Sequence, residues 1–71
     1  MWKFDSPIGS LIIRKYQGAF YLMYKNLFYG PYYDPEAAAS DVYTFTTGFY
    51  EWYRLDMKVD PPHDLSEWEL L

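Results

Sequence analysis

Two tight-turn signals within the first 33 residues constrain the fold of this chain more than any other feature. Gln17-Gly18 and Lys25-Asn26 separate runs rich in β-branched and aromatic residues. Glycine and asparagine tolerate the backbone angles that two-residue turns require. The runs therefore predict three antiparallel strands joined as a meander, at residues 8–16, 19–24 and 27–33. Residues 1–4 or 49–54 could add one further short strand.

The two turns also fix which residues pair, and pairing assigns each side chain to one face of the sheet. Tyr16 is predicted opposite Ala19, and Tyr24 opposite Leu27. One face is then a conventional core of Leu11, Ile13, Phe20, Leu22, Tyr24, Leu27 and Tyr29. The other carries Ile12, Arg14, Tyr16, Tyr21, Met23, Phe28 and Tyr32. This second face is too aromatic for a surface that simply meets water.

Residues 34–47 predict one α-helix on the core face. Asp34 can cap the free N–H groups, and Pro35 is favoured at the first helical position. Three alanines follow, which are strong helix formers. A β-branched and aromatic run predicts that the helix ends between residues 43 and 47, with Gly48 as its stop.

The sequence therefore predicts an α+β fold, with a three-stranded antiparallel β-meander packed on one α-helix and an aromatic C-terminal segment against the sheet. Residues 1–60 are the βββα domain, and residues 61–71 are an acidic, tryptophan-containing tail packed on it. A chain of 71 residues builds only a small core, and it has no cysteine to reinforce it. Aromatic residues, 24% of the chain, must hold it together, so residues 49–71 are expected to cover the aromatic face; if they leave it open, it is a surface for a partner.

Charge and hydropathy limit the partners. A formal net charge of −4 argues against a duplex-binding module, which presents a basic face to phosphate. No apolar run approaches 18 residues, and the opening residues do not resemble a signal peptide. A soluble, cytoplasmic protein with no membrane partner is expected.

Residues for catalysis or metal binding are scarce. The single histidine, His63, lies in an irregular stretch between Pro62 and Asp64, and it reads as a solvated loop residue. Asp60 and Asp64 beside it do not give the spacing of a standard metal site. We therefore expect no enzyme activity, no metal and no cofactor.

The aromatic face, together with the carboxylates concentrated in the last third of the chain, instead predicts a small non-catalytic protein-interaction module that uses aromatic and acidic surface. Its candidate partner-binding residues are Tyr16, Tyr21, Phe28, Tyr32, Trp52 and Trp68. The partner would be another protein. A homodimer that forms through a sheet edge or through this face is compatible with this prediction. The alternative is a single-stranded nucleic-acid or regulator-like module, because rings on a three-stranded sheet can stack bases. Net charge makes nucleic acid the less favoured partner.

Two resemblances bear on this prediction. The order of strands and helix resembles the AP2-type DNA-binding domain of plant regulators over about half the chain, at Leu27-Phe28-Tyr29-Gly30-Pro31-Tyr32 and Pro35-Glu36-Ala37-Ala38. The arginines and tryptophans with which that family contacts DNA have no counterparts, so DNA binding is not implied.

The chain is more similar to a group of short, uncharacterised bacterial proteins. The shared segments are Phe4-Asp5-Ser6-Pro7-Ile8-Gly9, residues 34–42, Thr47-Gly48 with Tyr50-Glu51-Trp52, and Asp64-Leu65-Ser66-Glu67-Trp68-Glu69. This resemblance covers nearly the whole chain and implies a bacterial cytoplasmic protein, but no activity.

Overall fold

A computed structural model describes all 71 residues as a five-stranded antiparallel sheet with the helices on one side. The strands are β1 (Trp2–Ser6), β2 (Gly9–Tyr16), β3 (Ala19–Tyr24), β4 (Leu27–Tyr32) and β5 (Glu69–Leu70), in the order β4-β3-β2-β1-β5. The helices are α1 (Pro35–Thr44) and the single turn α2 (Tyr50–Tyr53), and a 3-10 turn spans Leu65–Glu67. The α+β class, with an antiparallel sheet and a helix, is confirmed.

The predicted count of three strands is wrong, because the strand considered for residues 1–4 is present as β1 and a fifth strand lies near the C-terminus. β1 pairs with β2 from Trp2 opposite Ile13 to Ser6 opposite Gly9. Gly9 takes a φ of +124°, which favours glycine, and the Ser6 hydroxyl donates to the Gly9 carbonyl at 2.6 Å. β5 then pairs with β1 over two residues. Residues 50–53 form a helical turn and not a strand.

The predicted pairing within the meander is confirmed. Tyr16 lies opposite Ala19 and Tyr24 opposite Leu27. Gln17 and Gly18 both have positive φ, as a two-residue turn with the right twist requires. In the second turn Lys25, and not asparagine, takes the positive φ.

Helix α1 starts where the sequence predicts it. The Asp34 carboxylate accepts a hydrogen bond from the Ala37 amide at 2.8 Å, and Pro35 is the first helical residue. The helix ends inside the predicted interval, but its stop is Phe45 with a φ of +57°, and not Gly48. The backbone therefore turns three residues earlier and buries the Phe45 ring.

The core lies between the sheet and the helices, and five aromatic rings are buried in it. The sheet contributes Leu11, Ile13, Leu22 and Tyr24, and the rest of the chain contributes Ala38, Ala39, Val42, Phe45, Phe49, Trp52 and Trp68. The Phe49 ring stacks on Tyr29 at 4.9 Å between centroids and lies 4.7 Å from Tyr24. The C-terminal segment therefore packs on the same side of the sheet as α1.

This placement contradicts the prediction that residues 49–71 cover the aromatic face. A ten-residue helix is about 15 Å long, whereas five strands span about 19 Å. One helix thus leaves part of the apolar core face open, and the C-terminal rings complete it. No helix of this chain is long and apolar enough to cross a membrane.

Candidate functional site

The candidate site is the side of the sheet that faces away from the helices, which we call the open sheet face. Because directly paired residues point to the same side, its members follow from the register. They are Lys3, Asp5, Ser10, Ile12, Arg14, Tyr16, Ala19, Tyr21, Met23, Phe28 and Glu69. None of these side chains is buried. The buried core residues lie on the other side of the sheet, or in the helices and C-terminal segment that pack there.

Three rings, Tyr16, Tyr21 and Phe28, form a cluster at one end of this face, which we call the ring triad. Centroid distances are 6.3 Å from Tyr16 to Tyr21, 6.0 Å from Tyr16 to Phe28 and 5.8 Å from Tyr21 to Phe28. The rings are tilted to each other by 57–80°, the edge-to-face arrangement that aromatic quadrupoles favour. Tyr16 is 45% and Phe28 is 48% exposed, so the triad is held in place but not covered.

The other end of the open sheet face is charged and internally paired. The Lys3 ammonium lies 3.5 Å from the Asp5 carboxylate, which also accepts a hydrogen bond from the Ser10 hydroxyl at 2.8 Å. Sequence reasoning missed Lys3 and Asp5 because it gave β1 no register. The glycine after Ser6-Pro7 was the available signal for that hairpin.

Formal charge divides between the two layers. Residues 1–33 hold four basic residues and one acidic residue, or +3, whereas residues 34–71 hold two basic and nine acidic residues, or −7. The fold turns this division along the chain into a division between faces, because residues 2–32 supply four of the five strands. The sheet layer is therefore net positive in an acidic protein, whereas the open sheet face itself is balanced, with Lys3 and Arg14 against Asp5 and Glu69.

Tyr32 does not join the ring triad, although the sequence predicted it on that face. Leu22 pairs with Tyr29, but Phe20 pairs with Tyr32, so β4 carries one extra residue at Gly30-Pro31. Such a bulge shifts every later side chain to the other face. Tyr32 is consequently half-buried against the core. Burial, followed by the nearby Asp41 carboxylate, raises the pKa of its hydroxyl.

The raised pKa of Tyr32 predicts a loss of stability in alkali. The folded protein retains this proton at a pH where the unfolded chain, with a pKa of about 10, releases it. The stabilisation is therefore complete below about pH 10 and is lost as the pH rises further. We expect the unfolding free energy of Tyr32→Phe to fall less steeply between about pH 10 and 12 than that of the unaltered chain. Urea titrations at a series of pH values measure this, and the exposed Tyr33→Phe should follow the unaltered chain.

The sequence predicted that Trp52 and Trp68 are accessible to a partner, and that prediction is wrong. Trp52 is 0% exposed, stacks on Phe45 at 5.1 Å, and donates its indole N–H to the Val42 carbonyl at 2.8 Å. Trp68 is 5% exposed, and its ring lies 5.7 Å from Phe4. Both fill the space that α1 leaves on the core face. They are therefore unavailable to a partner of the folded chain.

The polar residues near the C-terminus stabilise local structure. Nδ1 of His63 lies 3.3 Å from the Glu67 carboxylate, and the Ser66 hydroxyl donates to Asp64 and not to the imidazole. The hydrogen bonds from Ser66 lower the pKa of Asp64, which caps the 3-10 turn. No group of three or more acidic, histidine or cysteine side chains is arranged to hold a metal ion.

The one surface depression lies elsewhere and is small. Its volume is about 200 Å³, below the 300–1,000 Å³ typical of small-molecule sites, and its lining is Ile8, Glu51, Arg54, Leu55 and Lys58. No protein-family model, curated protein or solved structure matches this chain. The two resemblances therefore stay predictions, and function has to be inferred from the surface itself.

Proposed function

We propose that this chain is a small non-catalytic module that binds another protein through the open sheet face. Tyr16, Tyr21 and Phe28 are its principal contacts. The observation that supports the proposal is the ring triad, whose three rings contact each other and are left uncovered. The aromatic rings of the last third of the chain pack into the core on the other side of the sheet instead.

The composition of the face supports a protein partner. Tyrosine, phenylalanine, methionine and arginine are enriched at protein interfaces, and the open sheet face brings all four together. Aromatic side chains bury a large area while losing little rotamer freedom, so pre-positioned rings favour binding. Contact between the rings restricts each of them before a partner arrives.

The two sheet edges are less suited to pairing with another chain. β4 carries the Gly30-Pro31 bulge, and proline lacks the N–H that an added strand would use. β5 is only two residues long. Both are devices by which proteins prevent edge pairing. The face is therefore the better candidate for contact, whether with a different protein or with a second copy.

Single-stranded nucleic acid remains the alternative, but this surface supports it less. Stacking platforms present ring faces to successive bases, whereas the rings of the triad are tilted onto each other. Only Lys3 and Arg14 are basic on the open sheet face, and Lys3 is paired with Asp5. A phosphate chain would also meet the field of the −7 layer.

Tyr21→Thr is expected to lower partner affinity by about tenfold or more, because truncating a hot-spot tyrosine at the centre of an interface costs about 2 kcal/mol or more and tenfold corresponds to about 1.4 kcal/mol. Threonine preserves strand propensity, so the fold should persist. The immobilised chain would capture partners from a bacterial lysate, and the Kd of each partner identified by mass spectrometry would then be measured.

The matched control is Tyr50→Thr, the same substitution at a 69% exposed ring in the helical layer. It should leave the Kd unchanged. A partner lost on Tyr50→Thr and retained on Tyr21→Thr would assign binding to the other layer and contradict the proposal.

A further inference from the structure

We infer that the partner presents an aspartate or glutamate, flanked by apolar residues, to Arg14 on the open sheet face. This inference rests on the proposed function and names the chemistry of the partner. Arg14 lies directly opposite Tyr21 in the register, beside the ring triad. The predicted complex therefore combines apolar contact with the triad and one ion pair.

Arg14 is free to bind because nothing in the fold engages its guanidinium. Four of the other five basic side chains contact a carboxylate or a ring: Lys3 with Asp5, Lys15 over Phe20, Lys25 over Tyr24 and Arg54 over Tyr50. Arg14 has no ion pair, side-chain hydrogen bond or ring contact. Its planar group can donate two parallel hydrogen bonds to a carboxylate, which gives geometric specificity as well as affinity.

The charge distribution favours an acidic group on this side of the molecule. The only carboxylate of β1–β4, Asp5, is already occupied by Lys3 and Ser10. Of the remaining acidic residues only Glu69 lies on this face, opposite Lys3 and two strands away from Arg14. An approaching carboxylate is therefore attracted to the Arg14 end of the open sheet face and repelled by the helical layer, which orients the encounter.

A single carboxylate fits this face better than a polyanion does. Arg14 is one unpaired cation, whereas a nucleic-acid strand gains affinity by contacts to several phosphates. A strand that runs across the face would also meet the carboxylates of Asp5 and Glu69, which lie beside Lys3.

Selection from a phage library of random dodecapeptides tests this without a known partner. Peptides that bind the full chain should be enriched in aspartate or glutamate beside leucine, isoleucine or aromatic residues. The strongest would be synthesised and titrated by fluorescence anisotropy. Arg14→Glu should weaken its binding by about tenfold or more, since it removes an ion pair and adds repulsion. The matched control Lys58→Glu changes charge equally in the helical layer and should alter binding less than about threefold.

The outcomes separate the two proposals. The inference would be supported if Arg14→Glu abolished the binding of acidic peptides and if changing the carboxylate of the peptide to lysine restored binding to that variant. Peptides lost on Tyr21→Thr but unaffected by Arg14→Glu would overturn it and leave the proposed function standing. A selection that yields no peptide dependent on either residue would count against both. Displacement of a bound peptide by oligodeoxythymidine at 150 mM salt would also overturn it, in favour of nucleic acid.

Discussion

A chain that ends at Asp60 is expected to be largely unfolded at 25 °C. The deletion removes Trp68, which is 5% exposed, together with the half-buried Leu65 and the whole of β5. Truncating a buried tryptophan alone costs about 3–5 kcal/mol. A domain of this size has a total stability of about 4–11 kcal/mol, at 0.05–0.15 kcal/mol per residue. The tail is therefore a condition of folding.

Paired amide NMR spectra of the full and shortened chains measure this result. The amides of Tyr21 and Phe28 lie in β3 and β4, with which no tail residue pairs, so they change only if the fold itself is lost. Leu70→Ala alters a 70% exposed side chain of the same tail and should keep the native spectrum. Native dispersion in the shortened chain would show that the first 60 residues fold alone and that Trp68 contributes little.

The meander could be predicted from the sequence because its determinants are local. A two-residue turn fixes the pairing of its flanking strands, and Gln17-Gly18 is enough to place Tyr16 opposite Ala19. The same holds for the start of α1, where Asp34 and Pro35 satisfy the first turn of the helix by themselves. These elements require no knowledge of distant residues.

The features that were missed depend on residues far apart in the chain or on a single inserted residue. β5 exists because Glu69 and Leu70 reach β1 at the opposite end of the sequence. Local sequence does not show that Gly30-Pro31 adds one residue to β4 and thereby turns Tyr32 to the core. Composition does not indicate on which side of the sheet the C-terminal rings pack.

In the candidate site, too, the residues placed by local turns were predicted correctly and those placed by distant contacts were not. Tyr16, Tyr21 and Phe28 were placed together by hairpin register alone, and the structure brings their rings within 6.3 Å of each other. Trp52 and Trp68 sit beyond the helix, where no turn relates them to the sheet. Whether such a ring is a contact or a core residue depends on how much of the core face α1 leaves open, which is a property of the assembled fold.

Trp52→Phe is expected to destabilise the domain by about 2–4 kcal/mol, considerably more than the same substitution at Trp68. Both lose ring volume from the core. Trp52→Phe also removes the hydrogen bond from the indole N–H to the Val42 carbonyl, which lies in the last turn of α1. That carbonyl would then accept only the 3.3 Å hydrogen bond from the Phe45 amide. Trp68 Nε1 is buried without a partner, so phenylalanine removes an unsatisfied donor there and offsets part of the lost volume. We expect about 1 kcal/mol for Trp68→Phe.

Thermal unfolding followed by circular dichroism separates the two variants, since 1 kcal/mol corresponds to about 4–8 °C in Tm for a domain of this size. Trp52→Phe should lower the Tm by about 10–25 °C, and Trp68→Phe by less than about 8 °C. Equal losses would mean that the indole hydrogen bond to Val42 adds nothing to the stability of α1. A larger loss at Trp68 would show that its N–H has a partner in solution, such as a buried water, and that ring volume alone does not decide the ranking.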